Sequence, residues 1–339
     1  MGSLRLWRLE TRDWGERTAF LPGEVSWQNW GSFFLEADLW RPLVRRICEV
    51  TAVTSAQHIE AGFPGSCAVF VVDGQVVVKL YPPMMAGDFY RERAVYGLLD
   101  GRLPHLPRLL GEGVYPDQLD WPFLLLAFCE GVAIREVFEV MAPDNRLAIA
   151  REVGEMLRVV HETAVETLPG NVSTTWAEFV ANRRANCLAE LRQKEIVPES
   201  VLAECADFLA RVEVGGERPI LINADLTEDH LLLVPHEGQW RISALIDWAD
   251  TEVGAREYEW IALWFGLCQR DGAMFREILR VYDADLRLDD DFYERVLAYT
   301  LLHRFGAAII EHVWGENGRP AISTLAALRQ QLWGPLLAR

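Results

Sequence analysis

The stretch LINADLTEDHLLL (residues 221–233) sets a run of polar side chains between two apolar ones. Leu221-Ile222 and Leu231-Leu232-Leu233 read as core-facing strands, while Asn223, Asp225, Glu228, Asp229 and His230 interrupt them. A solvated turn needs no special order of residues. A catalytic loop does, and the order here is specific. Asp225 stands five residues before His230, and Asp247 follows His230 by 17 residues in Leu245-Ile246-Asp247-Trp248-Ala249-Asp250. Both loops adjoin apolar segments that would hold their side chains on a rigid support.

Toward the N-terminus the period changes to that of strands. AQHIEAGFPGSCAVFVVDGQVVVKLY (56–81) contains two β-rich runs, Cys67–Val72 and Gln75–Tyr81. Asp73-Gly74 between them is a strong hairpin signal. A turn of small residues, Gly62 to Ser66, precedes the first run and could bring backbone N–H groups close to a phosphate. Lys79 ends the apolar run Val76-Val77-Val78. A buried ammonium without a partner is costly, so Lys79 calls for a fixed anion. Glu92 supplies one: Phe89, Tyr96 and Leu99 share its helical face, so the carboxylate should look inward from helix 88–101. A strand lysine paired with a helix glutamate is how kinases hold nucleotide phosphates.

The rest of the chain is divided unevenly. Residues 39–50 have helical spacing, and five tryptophans in the first 40 residues, Trp14 among them, suggest a flank on the first lobe. PHLPRLLGEGVY (104–115) reads as turns and FLLLAF (123–128) as a buried strand. Helical patterns then cover 147–165, 174–193, 201–214 and most of the chain beyond Arg256. The expected class is α+β: a β-rich first lobe over residues 1–128, with a helical flank at 1–54, and a mostly helical second lobe over 129–339 with one β island.

Composition narrows the partners. The formal net charge of −17 argues against nucleic acid. Residues 130–339 carry 21 basic and 35 acidic side chains, against 12 and 15 in residues 1–129, so the second lobe could attract a cation. Six scattered cysteines form no C-x-x-C pair, the opening residues lack the order of a signal peptide, and no run is apolar enough to span a membrane. The expectation is a cytoplasmic protein, monomer or homodimer. Arginines number 31 and lysines two, Lys79 and Lys194, so a lysine kept inside a strand stands out.

These residues fit phosphoryl transfer. That reaction needs a carboxylate beside the acceptor hydroxyl and two groups on Mg²⁺, one from the catalytic loop and one from a following strand–turn. Asp225 is the candidate base, and His230 and Asp247 are the candidate metal ligands. An imidazole can replace the usual amide, although Mg²⁺ prefers harder donors.

The same segments carry a resemblance. N-A-D-L-T-E-D-H-L-L-L followed by S-A-L-I-D-W-A-D-T-E-V-G resembles the aminoglycoside phosphotransferase family, whose pattern is His-x-Asp-x-x-x-x-Asn and then Ile-Asp-[Phe/Trp]-x-Asp-x-x-x-Gly. Asp225 falls on the catalytic aspartate, His230 on the asparagine, Asp247 on the metal-binding aspartate and Gly254 on the glycine. The resemblance implies a bilobal protein-kinase-like fold with ATP bound by Lys79, Glu92, Ser66 and an adenine hinge made by the backbone of Leu126 and Phe128. Hinge contacts by backbone leave GTP compatible as donor. LWRPLVRRICEV (39–50), AYTLLHRF (298–305) and LAALRQQLWGP (325–335) resemble segments of hygromycin B phosphotransferases. The implied acceptor is then a small cationic molecule, an aminoglycoside such as hygromycin B, facing carboxylates chosen from Asp250, Glu252, Glu257 and Glu311. A choline, sugar or amino-acid kinase and a non-catalytic nucleotide-binding protein on the same fold are the alternatives. Asn223 departs from the family's His, and Ala255 and Glu259 from its Asp residues. His161 is expected to be a satisfied core histidine.

Overall fold

In the computed structural model, which describes residues 7–9, 21–32, 34, 36–62, 65–170, 175–215, 218–315 and 322–337, the alternation around Asp73-Gly74 becomes a hairpin. Trp14, Phe63, Pro64 and Thr174, named above, lie outside the described residues. The chain divides into two units: residues 1–131 with 168–172 and 243–250, and residues 132–167, 173–242 and 251–339.

The first unit contains β1 (Trp7–Leu9), α1 (Trp27–Trp30), α2 (Ala37–Thr51), β2 (Ile59–Ala61), β3 (Ala68–Val72), β4 (Val76–Leu80), α3 (Ala86–Leu99), β5 (Leu109–Pro116) and β6 (Asp120–Ala127). Its sheet runs in the order β1-β5-β6-β4-β3-β2, antiparallel except for the β1–β5 pair. Asp73 and Gly74 both take positive φ, +52° and +64°, as a tight hairpin turn matched to strand twist requires. Strand parity then sorts the side chains. Phe70, Val72, Val76, Val78, Leu80, Phe123 and Leu125 enter one core with Trp30, Trp40, Leu43 and Ile47 of the flank. These flank residues thus belong to the core of this unit, with Trp40 fully covered. Lys79 has the opposite parity and lies across from Leu124 in the register.

Within residues 104–115, expected to be turns, the chain from Leu109 onward instead forms strand β5. Gly111 and Gly113 break the apolar alternation that marks a strand, and a register shift after Leu109 absorbs the irregularity.

The second unit contains β7 (Val132–Ala133), α4 (Ile134–Val137), α5 (Pro143–His161), α6 (Trp176–Gln193), α7 (Glu199–Arg211), β8 (Ile220–Ile222), β9 (Leu231–His236), β10 (Gln239–Leu245, whose end from Ser243 belongs to the first unit), β11 (Glu252–Gly254), α8 (Arg256–Ala262), α9 (Gly272–Tyr282), α10 (Asp290–Leu302), α11 (Gly306–Trp314) and α12 (Leu325–Leu337). Helix α6 starts where Thr175 and Glu178 exchange hydrogen bonds in a capping box. Two small sheets, β10-β9-β7 and β11-β8, carry the loops of interest. Gly254 ends β11 against the Trp176 ring: a Cβ there would come within 2.6 Å of it. No described helix is long and apolar enough to cross a membrane.

Candidate functional site

Parity and helical spacing together place a charge cluster in the first unit. Lys79 sits on the face of β4 turned from the aromatic core, and Glu92 projects from α3 toward it. Its Nζ donates to Glu92 Oε2 at 2.7 Å and to Asp247 Oδ1 at 3.0 Å. Tyr81 OH also donates to Glu92 Oε2, and Lys79 Nζ lies 5.5 Å from the Tyr81 ring centroid. The backbone N–H groups of Trp248 and Ala249 point at Glu92 Oε1 (3.4 Å) and Asp247 Oδ1 (3.2 Å). Burial pulls the Lys79 ammonium down, but Asp247 and Glu92 outweigh it and hold its pKa well above the usual value. Burial pushes Glu92 up, against the pull of Lys79. Lys79 is therefore a fixed cation at any ordinary pH.

Lys79 and Glu92 are nearly covered, whereas the Asp247 side chain is 37% exposed. Asp247 holds a left-handed backbone, φ +58°, unusual for a non-glycine residue and of the kind found at functional sites. Of the two carboxylates that meet Lys79, Asp247 is the one that reaches solvent. Arg91 fixes the following backbone by donating to the carbonyls of Ala249 and Gly170.

The other nucleotide-side residues are arranged differently. Ser66 is exposed, and its carbonyl accepts from Trp30 Nε1 at 2.8 Å, so the flank anchors the small-residue turn. Leu126 lies within the sheet, opposite Val77. The N–H of Phe128 donates to the Gln75 carbonyl at 2.8 Å. That N–H is engaged just beyond the paired ends of β4 and β6.

In the second unit the polar stretch forms a loop from β8 to β9. Asn223 is buried, and its side-chain Oδ1 accepts from Asp225 N at 3.0 Å. This short bridge fixes the backbone just before the candidate base. Glu259 completes the hold. Its fully buried carboxylate Oε2 accepts from Asn223 N at 2.6 Å and from Ala224 N at 3.3 Å. Ala224 needs this support, having φ +65°. The Asn223 that departs from the resembled pattern thus has a structural task.

His230 Nδ1 lies 2.7 Å from the Asp225 carbonyl, 3.2 Å from Thr227 Oγ1 and 3.6 Å from Asp225 Oδ2. Any ligand of this ring would be met by Nε2. Among the described residues no cluster of three or more His, Cys, Asp or Glu side chains is arranged to hold a metal ion. Asp247, with a partly exposed carboxylate, offers the oxygen donor that a hard divalent cation takes. His230 offers nitrogen, a donor that such a cation selects weakly.

His161 is 8% exposed; its Nδ1 is 3.0 Å from Tyr282 OH and its Nε2 is 3.8 Å from Glu259 Oε2. It is a core histidine that backs the loop anchor. Among the carboxylates considered for a cationic acceptor, Glu252 pairs with Arg304 at 2.7 Å and Glu311 with Lys194. Glu257 is buried between Arg295 (3.2 Å) and Arg256 (3.5 Å). Asp250 is partly exposed.

Sequence reasoning left two residues of the loop's support without a role. Glu259 and His303 both lie inside apolar, aromatic helical runs, the same signal that singled out Lys79. His303 is fully buried, stacks on Tyr258 at 4.4 Å and adjoins the Ala224 backbone. Burial, with Arg304 nearby, lowers its pKa to about 3.

Residues 57–328 match the profile of a family described as "Phosphotransferase enzyme family". No curated protein matches the chain in sequence. Among solved structures, the GDP complex of wild-type aminoglycoside 2'-phosphotransferase-IIIa is similar with a TM-score of 0.62 and 17% identity, over 80% of this chain and 97% of that one. A ternary complex of a thermostable mutant of aminoglycoside phosphotransferase APH(4)-Ia with AMP-PNP and hygromycin B has a TM-score of 0.55 and 19% identity, over 87% and 97%. At such identities the structural likeness speaks for a shared, kinase-like fold.

Proposed function

The chain belongs to the phosphotransferase enzyme family, and from that premise we propose that it transfers the γ-phosphate of ATP, with Mg²⁺ present, to a hydroxyl of a small amine-bearing molecule. One observation carries this reading: the buried Lys79–Glu92 pair with Asp247 at its exposed edge. A fixed ammonium beside a partly exposed carboxylate suits nucleotide phosphates and their cation. When bound at Asp247, Mg²⁺ would neutralise charge on the phosphate oxygens. Asp225 orients the acceptor hydroxyl and takes its proton as the acceptor oxygen bonds to the γ-phosphorus. The bond from that phosphorus to the β–γ bridging oxygen breaks, and ADP leaves. Glu259 and Asn223 hold the backbone that aims Asp225.

An aminoglycoside such as hygromycin B is one acceptor of this kind, and solved relatives of the fold hold kanamycin and hygromycin B. The acidic balance of residues 130–339 supports an amine. The pairing of Glu252, Glu257 and Glu311 with basic side chains removes much of the local support for a polycation. A smaller acceptor, of the choline, sugar or amino-acid type, is therefore the second reading.

The test is phosphate transfer from ATP, followed by mass spectrometry, over hygromycin B, kanamycin, choline, simple sugars and hydroxylated amino acids. Asp225→Asn should lower turnover by about 10²–10⁴-fold while leaving ATP affinity unchanged. Undiminished turnover in that variant removes Asp225 as the base. ATP binding with no transfer to any acceptor would instead favour a non-catalytic nucleotide-binding protein.

A further inference from the structure

Within the second unit a cavity of about 360 Å³ lies beside the catalytic loop, lined by Arg135, Glu228, Phe265, Gln269, Arg270 and His312 among others. Its volume is at the small end of the range for ligand sites, which runs from roughly 300 to 1,000 Å³. Among the described residues, two of its charges stand without an ionic partner. Arg270 is partly buried, its Nη2 donates to the Gln331 carbonyl, and its buried Nε meets no acceptor; among the described residues no carboxylate reaches its guanidinium. Glu228 is likewise half-buried with no basic side chain on it among the described residues. Arg135, by contrast, is neutralised by Asp229 at 2.8 Å. Partly buried charges are normally paired, because withdrawal from water is otherwise uncompensated.

The backbone under this wall is also unusual. Leu263–Leu267 forms a π-helical turn, closed by Cys268 N donating to the Leu263 carbonyl at 2.8 Å. Gln269 and Arg270 then both adopt positive φ, +46° and +64°. Such turns and such backbone recur at functional sites, since each costs stability that packing alone does not return. Gly266 within the turn lets Glu228 lie close: a Cβ there would come 2.9 Å from Glu228 Oε2. The same turn thus sets both unpaired charges.

We infer that this cavity receives the acceptor and that the acceptor is a zwitterion, its ammonium on Glu228 and its carboxylate or phosphate on Arg270. The inference rests on the phosphotransferase reading and narrows its acceptor from an amine to a hydroxylated molecule that also bears an acid. Phe265 provides the apolar wall, and Gln269 and His312 provide polar contacts at the rim. A pure polycation would satisfy Glu228 and leave Arg270 facing a like charge.

A matched set of polyols tests it by calorimetry on the full chain: D-glucosaminate with both groups, D-glucamine with the amine only, and D-gluconate with the acid only. D-glucosaminate should bind about tenfold more tightly than either of the others, as a charge-assisted contact warrants. Arg270→Gln should bring it down to the level of D-glucamine, Glu228→Gln to that of D-gluconate, and Arg270→Lys should restore part of the loss. The proposal is overturned if D-glucamine binds as well as D-glucosaminate, if Arg270→Gln leaves the difference intact, or if none of the three binds. Titration of AMP-PNP into the same samples separates the readings. Loss of nucleotide binding alone counts against phosphoryl transfer, and loss of the polyol pattern alone counts against the zwitterion.

Discussion

The Lys79 cluster and the loop from β8 to β9 are held by different means. In the first, side chains bind side chains at the centre: the Lys79 ammonium joins Glu92 and Asp247, and the Tyr81 phenol donates to Glu92. In the second, a side chain binds backbone: Glu259 gathers two N–H groups, and Asn223 takes a third. A carboxylate that reaches solvent and one that shapes a loop thus need different surroundings. Asp247 keeps over a third of its side chain exposed, while Glu259 keeps none.

The largest effect is expected at Lys79. Lys79→Met leaves Glu92 buried beside Asp247 without the cation, and the loss of stability should be about 3–5 kcal/mol. Adding Glu92→Gln should return much of it, since a neutral pair of similar volume needs no counter-charge. Urea denaturation of both variants measures this. A loss in Lys79→Met below about 1 kcal/mol, the range of exposed pairs, would show that the cluster is an ordinary surface pair.

Next in size is Glu259→Gln. The amide oxygen can still accept both N–H groups, but the charge-assisted share is lost, so stability should fall by about 2 kcal/mol. If the carboxylate shapes the loop, kcat falls with it while the KM for ATP stays put. A variant that loses stability with kcat intact would make Glu259 a packing residue only.

How these two regions could be read from sequence differs for the same reason. Lys79 and Glu92 lie 13 residues apart, and strand parity and helix spacing suffice to turn them toward each other. The Asp73-Gly74 turn was equally plain, because only a few residue pairs tolerate two positive φ angles. Glu259 lies 36 residues from Asn223, and no local pattern says which backbone a buried acid will meet. Strand β5 was hidden by its two glycines. The commitment of the Phe128 N–H to Gln75 depends on sheet register, which composition does not encode. With the acids the limit was different again: their number was legible, but not which arginines would take up Glu252 and Glu257.

A pH effect sharpens the loop side. His303 is neutral when folded, with a pKa lowered to about 3 by burial, and regains an ordinary value near 6.5 when unfolded. The unfolded chain therefore binds the extra proton as pH drops below 6.5, and stability is lost through that window down toward pH 3. The slope is about 1.4 kcal/mol per pH unit, so pH 5 should cost up to about 2 kcal/mol. His303→Gln should flatten this part of the stability curve, and an unchanged slope would assign the acid sensitivity elsewhere. The smallest effect is expected at Asn223→Ala, about 1 kcal/mol by loss of its bridge to Asp225 N. Asn223→Asp should retain that bridge, and thermal melting of the pair would show whether the acceptor oxygen or mere volume matters.

The burial of Lys79 has a chemical consequence. Among the two lysines, the Lys194 side chain is 43% exposed and that of Lys79 only 8%. An amine-selective acylating reagent should therefore modify Lys194 promptly and reach Lys79 only when the first unit opens. The time course of Lys79 labelling then becomes a single-atom clock for breathing of the sheet. A bound nucleotide should slow that clock, whatever the acceptor proves to be.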